Sequence, residues 1–235
     1  MFIGGIEGPV CDAYTYIDTE LFCTAIYDAP ELVTHIMDCT CAFSAHVARV
    51  FAALTRVPLM FMGEDIAGKN GPIFSPAFIR AEGLPRWRRI LSPLREKGIR
   101  FLFHTDGRYG ELLPVILEEF GADGLNPIER NGCNDIFDIH REWPRALLFG
   151  NICCAATLPY GSPEDVESET LEIIKRIGPD GGILIGSSSE VHDLVPPENA
   201  VRMYGTVKEY GAYPIDIERI GRRRKVLSRA GKTLR

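Results

Sequence analysis

Long apolar runs are missing from this chain of 235 residues. None reaches the roughly 18 residues that a membrane helix needs, so no membrane partner is expected. The N-terminus, MFIGGIEGPV, lacks a basic start and a long apolar core, so it does not read as a secretory leader. No GxGxxG follows the first apolar run, which weakens a dinucleotide-binding Rossmann reading. Cysteine pairing is also missing. The seven cysteines are Cys11, Cys23, Cys39, Cys41, Cys133, Cys153 and Cys154, an odd number with no disulfide framework. Cys39 and Cys41 lie two apart in a helical pattern and point in different directions. Most of the seven read as small buried apolar residues in a reducing, cytoplasmic setting.

Positive charge is scarce over most of the chain. Residues 216–235 carry a net +6 and the rest a net −12, for −6 overall. An acidic body argues against a nucleic-acid groove. The basic segment 216–235, with GRRRK at 221–225, reads as a solvated, partly disordered tail after a single domain over 1–215. That domain has the length and the 46% hydrophobic content to bury a real core.

The organisation is a repeat of short apolar runs and amphipathic stretches. Apolar runs fall at 1–6, 57–62, 100–104, 123–127, 146–151 and 182–187, and most are continuous, as in parallel strands covered on both faces. Helices are expected over 30–53, 76–97 (broken in two by Pro85), 110–120 (ending at Gly121), 134–143, 163–177 and 197–210. Alternation of this kind means an α/β fold with a parallel sheet. A (β/α)8 TIM-barrel type is the leading candidate, and a complete one has eight units. Six are legible, so either two strands hide in 10–30 and the irregular loops or the barrel is incomplete.

Polar residues fall at one end of these runs. The C-terminal strand ends carry Glu7, then Glu64 and Asp65, then His104 and Asp106, then Asn126, then Asn151, and finally Ser188, Ser189 and His192. The opposite turns, such as Lys97-Gly98 and Gly121-Ala122, are plain. Barrel chemistry sits at the C-terminal strand ends, so this one-sided polarity marks a site. His104 and Asp106 are two apart on extended backbone and point the same way. They can share a metal, pair as base and orienter, or merely hydrogen-bond at a strand end. Of the adjacent acids Glu64 and Asp65, one can bind metal or act as base while the other caps a loop.

Several stretches together look familiar: GPVCDAYTY (8–16), FSPAFIRAEGLPRWRRI (74–90), FLFHTDGRYGELLPVILEEFGADGLNPIE (101–129), GNI (150–152), YGSPEDVESE (160–169) and the segment from Gly178 to Pro214. They resemble the uroporphyrinogen decarboxylase superfamily, which holds both that decarboxylase and corrinoid-linked methyltransferases. The resemblance implies a (β/α)8 barrel that begins here at about its third unit. The decarboxylase's N-terminal arginine-rich motif and early catalytic aspartate have no counterpart, which argues against a substrate with eight carboxylates. Its tyrosine motif is loosely echoed by Tyr14 or Tyr16, with Tyr16 taken as the catalytic candidate, and its late histidine falls near Ser189. Several methyltransferases hold zinc with a His-x-Cys pair and a later cysteine. Here the pair reads His104-Thr-Asp106 and the later position falls at Ser188 or Ser189.

The resemblance therefore implies a harder metal site. Glu64 and His104 are the expected ligands of zinc or another divalent metal, with Asp65 and Asp106 catalytic. Glu7, Asn126, Asn151, Ser188, Ser189 and His192 are expected to touch a small-molecule substrate. The implied activity is demethylation of a methoxylated or methylated compound, with the methyl group passing to a corrinoid on a partner protein. The alternatives are a cofactor-free decarboxylase, or an incomplete barrel that needs a homodimer or a complementing chain.

Overall fold

The computed structural model describes residues 3–54, 58–130 and 134–233, so Cys133 lies outside the described residues. The chain divides into two compact units, Met1–Asn126 and Pro127–Arg235.

In the first unit, β1 (Ile3–Glu7) leads into α1 (Pro9–Ile17), α2 (Thr19–Asp28) and the 25-residue α3 (Pro30–Leu54). Residues 10–30, where hidden strands were one expectation, are helical. Pro9 and Pro30 start α1 and α3 where the missing N–H costs nothing, and the Asp18 side chain caps α2. Next come β2 (Leu59–Gly63), a small hairpin of β3 (Ala67–Gly68) and β4 (Gly71–Pro72), and a helical stretch from α4 (Pro76–Phe78) to α5 (Leu84–Arg95). The stretch over 76–95 does not break at Pro85 as the sequence implied. A π-helical turn at Ile79–Gly83 takes up the strain, with the Leu84 N–H reaching back to the Ile79 carbonyl. One widened turn absorbs the proline at the start of α5. Then β5 (Arg100–His104), a second π-helical segment (Pro114–Phe120) ended by left-handed Gly121, and β6 (Gly124–Asn126) complete the unit.

These four strands pair in parallel, in the order β1, β2, β5, β6. The register aligns Glu7 with Gly63, Gly63 with His104, and His104 with Asn126. Side chains laterally aligned in a parallel sheet share a face. Met60, Met62, Phe101 and Phe103 take the other face and are fully buried. Trp87 of α5 seals that face, with its ring 4.8 Å from Phe103 and 5.5 Å from Phe120.

The second unit holds α6 (Ile136–Glu142), β7 (Leu147–Phe149), α7 (Thr157–Tyr160), α8 (Pro163–Arg176), β8 (Ile183–Leu184), α9 (Pro197–Tyr210) and α10 (Ile217–Thr233). β7 and β8 are parallel. Ser162 and Asp165 form a reciprocal capping box on α8, matching the start read from Ser-Pro-Glu-Asp. The chain thus carries six parallel strands with helices between them, an α/β fold.

The basic segment is not a solvated tail over its described part. It forms α10, which buries Ile220 and Leu227 against Leu171 and Ile174 of α8. Its charge is also used. Glu167 of α8 is almost fully buried and accepts from Arg223 of α10 and Arg202 of α9, each at 2.8 Å to Oε2. The Arg223 guanidinium holds the Glu167 carboxyl below its ordinary range. A depressed carboxyl pKa contributes stability above its unfolded value and loses it as pH falls. Thermal unfolding of the full chain should show stability falling as pH drops below about 4.5. Glu167→Gln should lower stability at neutral pH and flatten that acid limb, read from melting temperatures across the range.

Candidate functional site

The site grows from the row Glu7, Gly63, His104 and Asn126 at the C-terminal strand ends of the first unit. The His104 Nδ1 lies 2.7 Å from Asn126 Oδ1. With that amide oxygen as acceptor, Nδ1 is the donating nitrogen. The Nε2 atom faces Asp65, 3.7 Å from Oδ1. The Phe61 ring, two residues before Gly63 on the same face, stands 5.9 Å from the imidazole. Asp65 is fixed from both sides. The Tyr14 hydroxyl donates to its carbonyl at 2.6 Å, and its Oδ1 accepts the Asp106 N–H at 3.2 Å.

Asp65, His104 and Asp106 converge. One ligand atom from each lies within 4.8 Å of the other two. All three are partly buried, so the cluster is open to a small ligand. Gly107 enables the loop. Its φ of 79° is left-handed, and a Cβ there would come 2.8 Å from the Gly68 carbonyl.

The neighbouring side chains of Thr105 and Glu64 face away from this cluster. Thr105 is fully buried, and its hydroxyl accepts the Ile66 N–H at 3.2 Å. Glu64 is also fully buried. Its carboxylate accepts the Val10 N–H at 3.2 Å, the Cys11 N–H at 2.9 Å and the Trp87 indole N–H at 2.6 Å. Glu64 was expected as a metal ligand beside His104, but the strand's alternation turns it to the helix side. There it supplies the cap that Gly8 lacks at the start of α1. Burial pushes its carboxyl up to about 8, against the pull of those donors.

Tyr16, expected to be catalytic, is 71% exposed on α1 and is absent from these contacts. Tyr14 reaches the site instead, and burial raises its hydroxyl pKa. The helix phase carried the signal, since Val10 and Ala13 mark the buried side of α1, which Tyr14 borders. Glu7 is exposed at its strand end, with Oε2 leaning over Gly63. Phe61, Cys11 and Trp87 were also missed, because each had the look of an ordinary core residue in the sequence.

In the second unit, two of the remaining expected residues meet Cys154. Ser188 accepts the Cys154 N–H at 3.0 Å, and His192 Nε2 lies 2.9 Å from the Cys154 carbonyl. The Leu194 N–H meets His192 Nδ1 at 3.3 Å, so both ring nitrogens serve backbone groups. Ser189 donates to Glu190 at 2.6 Å. Asn151 is fully buried, and among the described residues neither its amide nitrogen nor its oxygen has a hydrogen-bond partner. Such a group costs roughly 1–3 kcal/mol unless something pairs with it.

The family model described as Uroporphyrinogen decarboxylase (URO-D) matches residues 1–210. The chain belongs to the uroporphyrinogen decarboxylase family. No curated protein matches it. Among solved structures it resembles a methyltransferase from Methanosarcina mazei, at 20% identity and a TM-score of 0.70. That likeness covers 89% of this chain and 59% of the other, so the chain spans less than two thirds of that structure's length. At this identity the likeness shows the fold. The family fold is a TIM barrel, and the six parallel strands with their helices are of that type. In folds of this type chemistry sits at the C-terminal strand ends, the end at which Asp65, His104 and Asp106 lie.

Gly8 has no room for a side chain, because a Cβ there would lie 2.9 Å from the Glu64 Cβ and overlap its carboxylate. Gly8→Ala should therefore break the Glu64 cap and cost about 1–3 kcal/mol. Chemical denaturation of the full chain checks this. A loss within a few tenths of a kcal/mol would mean that the cap is dispensable.

Proposed function

We propose that the chain is a methyl-transferring enzyme of this family, built around a divalent metal at Asp65, His104 and Asp106. The observation that supports this is the convergence of those three ligand atoms within 4.8 Å. The donor set fits a hard or borderline ion such as zinc, having one imidazole nitrogen, two carboxylates and no thiolate. Asn126 would orient the imidazole, as outer partners of metal-binding histidines do.

The bound ion would supply Lewis acidity toward an ether oxygen of a small methoxylated or methylated substrate. The reaction breaks the bond between methyl carbon and oxygen. A corrinoid on a partner protein would supply, as Co(I), the electron pair that takes the methyl group, so the oxygen would keep the pair of the broken bond and take a proton from water. The chain's own residues set the frame. Phe61 supplies an apolar wall beside His104, the Asp106 N–H and Tyr14 hold Asp65, and Glu7 is an acid on the same strand-end row. In the second unit taken by itself, Asn151, Ser188, Ser189 and His192 are proposed contacts for a small molecule. Of these, Asn151 has an amide with a donor and an acceptor left to offer.

Elemental analysis of the purified full chain after chelation and reloading tests the site. About one equivalent of zinc or another divalent ion is expected. His104→Ala should weaken that binding by more than about tenfold. Full occupancy in His104→Ala would overturn the assignment of ligands. No metal after reloading would overturn the methyl-transfer reading in favour of a cofactor-free decarboxylase or an incomplete barrel that needs a partner chain.

A further inference from the structure

Folding of the second unit leaves Asn151 unfinished. Its side chain is out of reach of solvent, and among the described residues both ends of its amide lack a hydrogen-bond partner. Buried polar groups in native proteins are nearly always paired, so an amide orphaned at both ends points to a missing partner. The backbone around it is in order. The Asn151 N–H donates to the Gly186 carbonyl at 3.1 Å, and the next residue, Ile152, pairs in parallel with Ser187.

Space lies beside this amide. The register that pairs Leu148 with Ile183 and Ile152 with Ser187 sets Asn151 level with Gly186. Gly186 is buried and brings no side chain to that place. A Cβ there would meet a single atom within 4 Å among the described residues, the edge of the Phe149 ring at 3.8 Å. The gap therefore has an aromatic wall and stands next to an unpaired amide. Phe149 and Ser187 are partly exposed, so it lies close to solvent. The chemistry of the amide selects what would fill it. An asparagine offers an acceptor and a donor side by side in one plane. A carboxylate has only acceptors and would set oxygen against the Asn151 oxygen. An ammonium has only donors and would leave the Asn151 nitrogen unpaired. Burying either charge beside a neutral amide also costs more than burying a neutral group. A carboxamide or lactam satisfies both atoms at once, in the two-bond pairing that an asparagine makes with adenine. Its flat face suits an aromatic wall.

We propose that the gap bordered by Asn151, Gly186 and Phe149 binds a planar carboxamide or lactam group of a small molecule, read through the Asn151 amide. The proposal rests on the reading of Asn151 as a small-molecule contact and not on the metal cluster. Saturation-transfer NMR on the full chain tests it, with benzamide, 2-pyridone and benzoate as probes. Benzamide and 2-pyridone should bind, and benzoate should bind at least about tenfold more weakly. Asn151→Leu removes both bonding atoms at nearly constant volume and should weaken the two neutral probes by at least about tenfold. Gly186→Ala puts a methyl group into the gap at ordinary contact distance and should weaken them as well. That second variant keeps the test decisive if Asn151→Leu misfolds, which circular dichroism would show. Equal binding of benzoate overturns the proposal, as does binding of the neutral probes that both variants leave unchanged. No binding of any probe overturns it in favour of a buried water, which can also pair both amide atoms. The readout involves neither metal nor methyl transfer, so its failure is distinguishable from failure of the metal assignment.

Discussion

Parallel pairing in strict register is the constraint on which the first unit rests. Glu7, Gly63, His104 and Asn126 form one lateral row because β1, β2, β5 and β6 pair without slippage. A shift of one residue in β5 would send His104 to the helix side and bring Phe103 to the open face. The aromatic packing of Trp87 against Phe103 and Phe120 opposes that shift. The apolar half of the sheet therefore sets the position of the polar half. The hydrogen bond between His104 and Asn126 follows from the register and was not arranged separately from it.

Alternation also explains how two neighbouring acids come to do unlike work. Glu64 and Asp65 are identical in charge and adjacent in sequence, but the backbone continues nearly extended past Gly63. The Glu64 N–H still bonds the His104 carbonyl at 2.9 Å. One carboxylate is driven among helix N–H groups and an indole, where water cannot reach it. The other emerges beside an imidazole and a second acid. Burial raises the proton affinity of the first, and the second keeps solvent contact.

Much of this was legible in the sequence. Short apolar runs marked all six parallel strands, being too short for helices. Pro9, Pro30, Ser162 and Gly121 mark helix ends through local backbone chemistry, which needs no tertiary context. The pairing of His104 with Asp106 at two-residue spacing was legible for the same reason. What was not legible depends on partners distant in sequence. The role of Glu64 is set by Val10, Cys11 and Trp87, the last of them 23 residues away. The choice between Tyr14 and Tyr16 depended on which side of α1 meets the sheet. The basic C-terminal segment looked solvated because its charges outnumber its apolar residues. The few it has, Ile220 and Leu227, are spaced to face α8, and Arg223 finds a buried acid. Resemblance to a family narrowed the fold faster than the site, because Asp106 stands where the resemblance to some of its methyltransferases implied a cysteine.

Gly63 occupies the place in the row where any other residue would put a side chain between Glu7 and His104. A Cβ there would stand 2.7 Å from Glu7 Oε2, and the atom it meets is the far end of a flexible chain. The backbone would tolerate an alanine, but the Glu7 carboxylate would have to swing aside. This uncharged position therefore acts as a spacer that sets how close one negative charge comes to the imidazole. Among related chains, variation at this strand position would tune the electrostatics of the row without altering a single ionisable group.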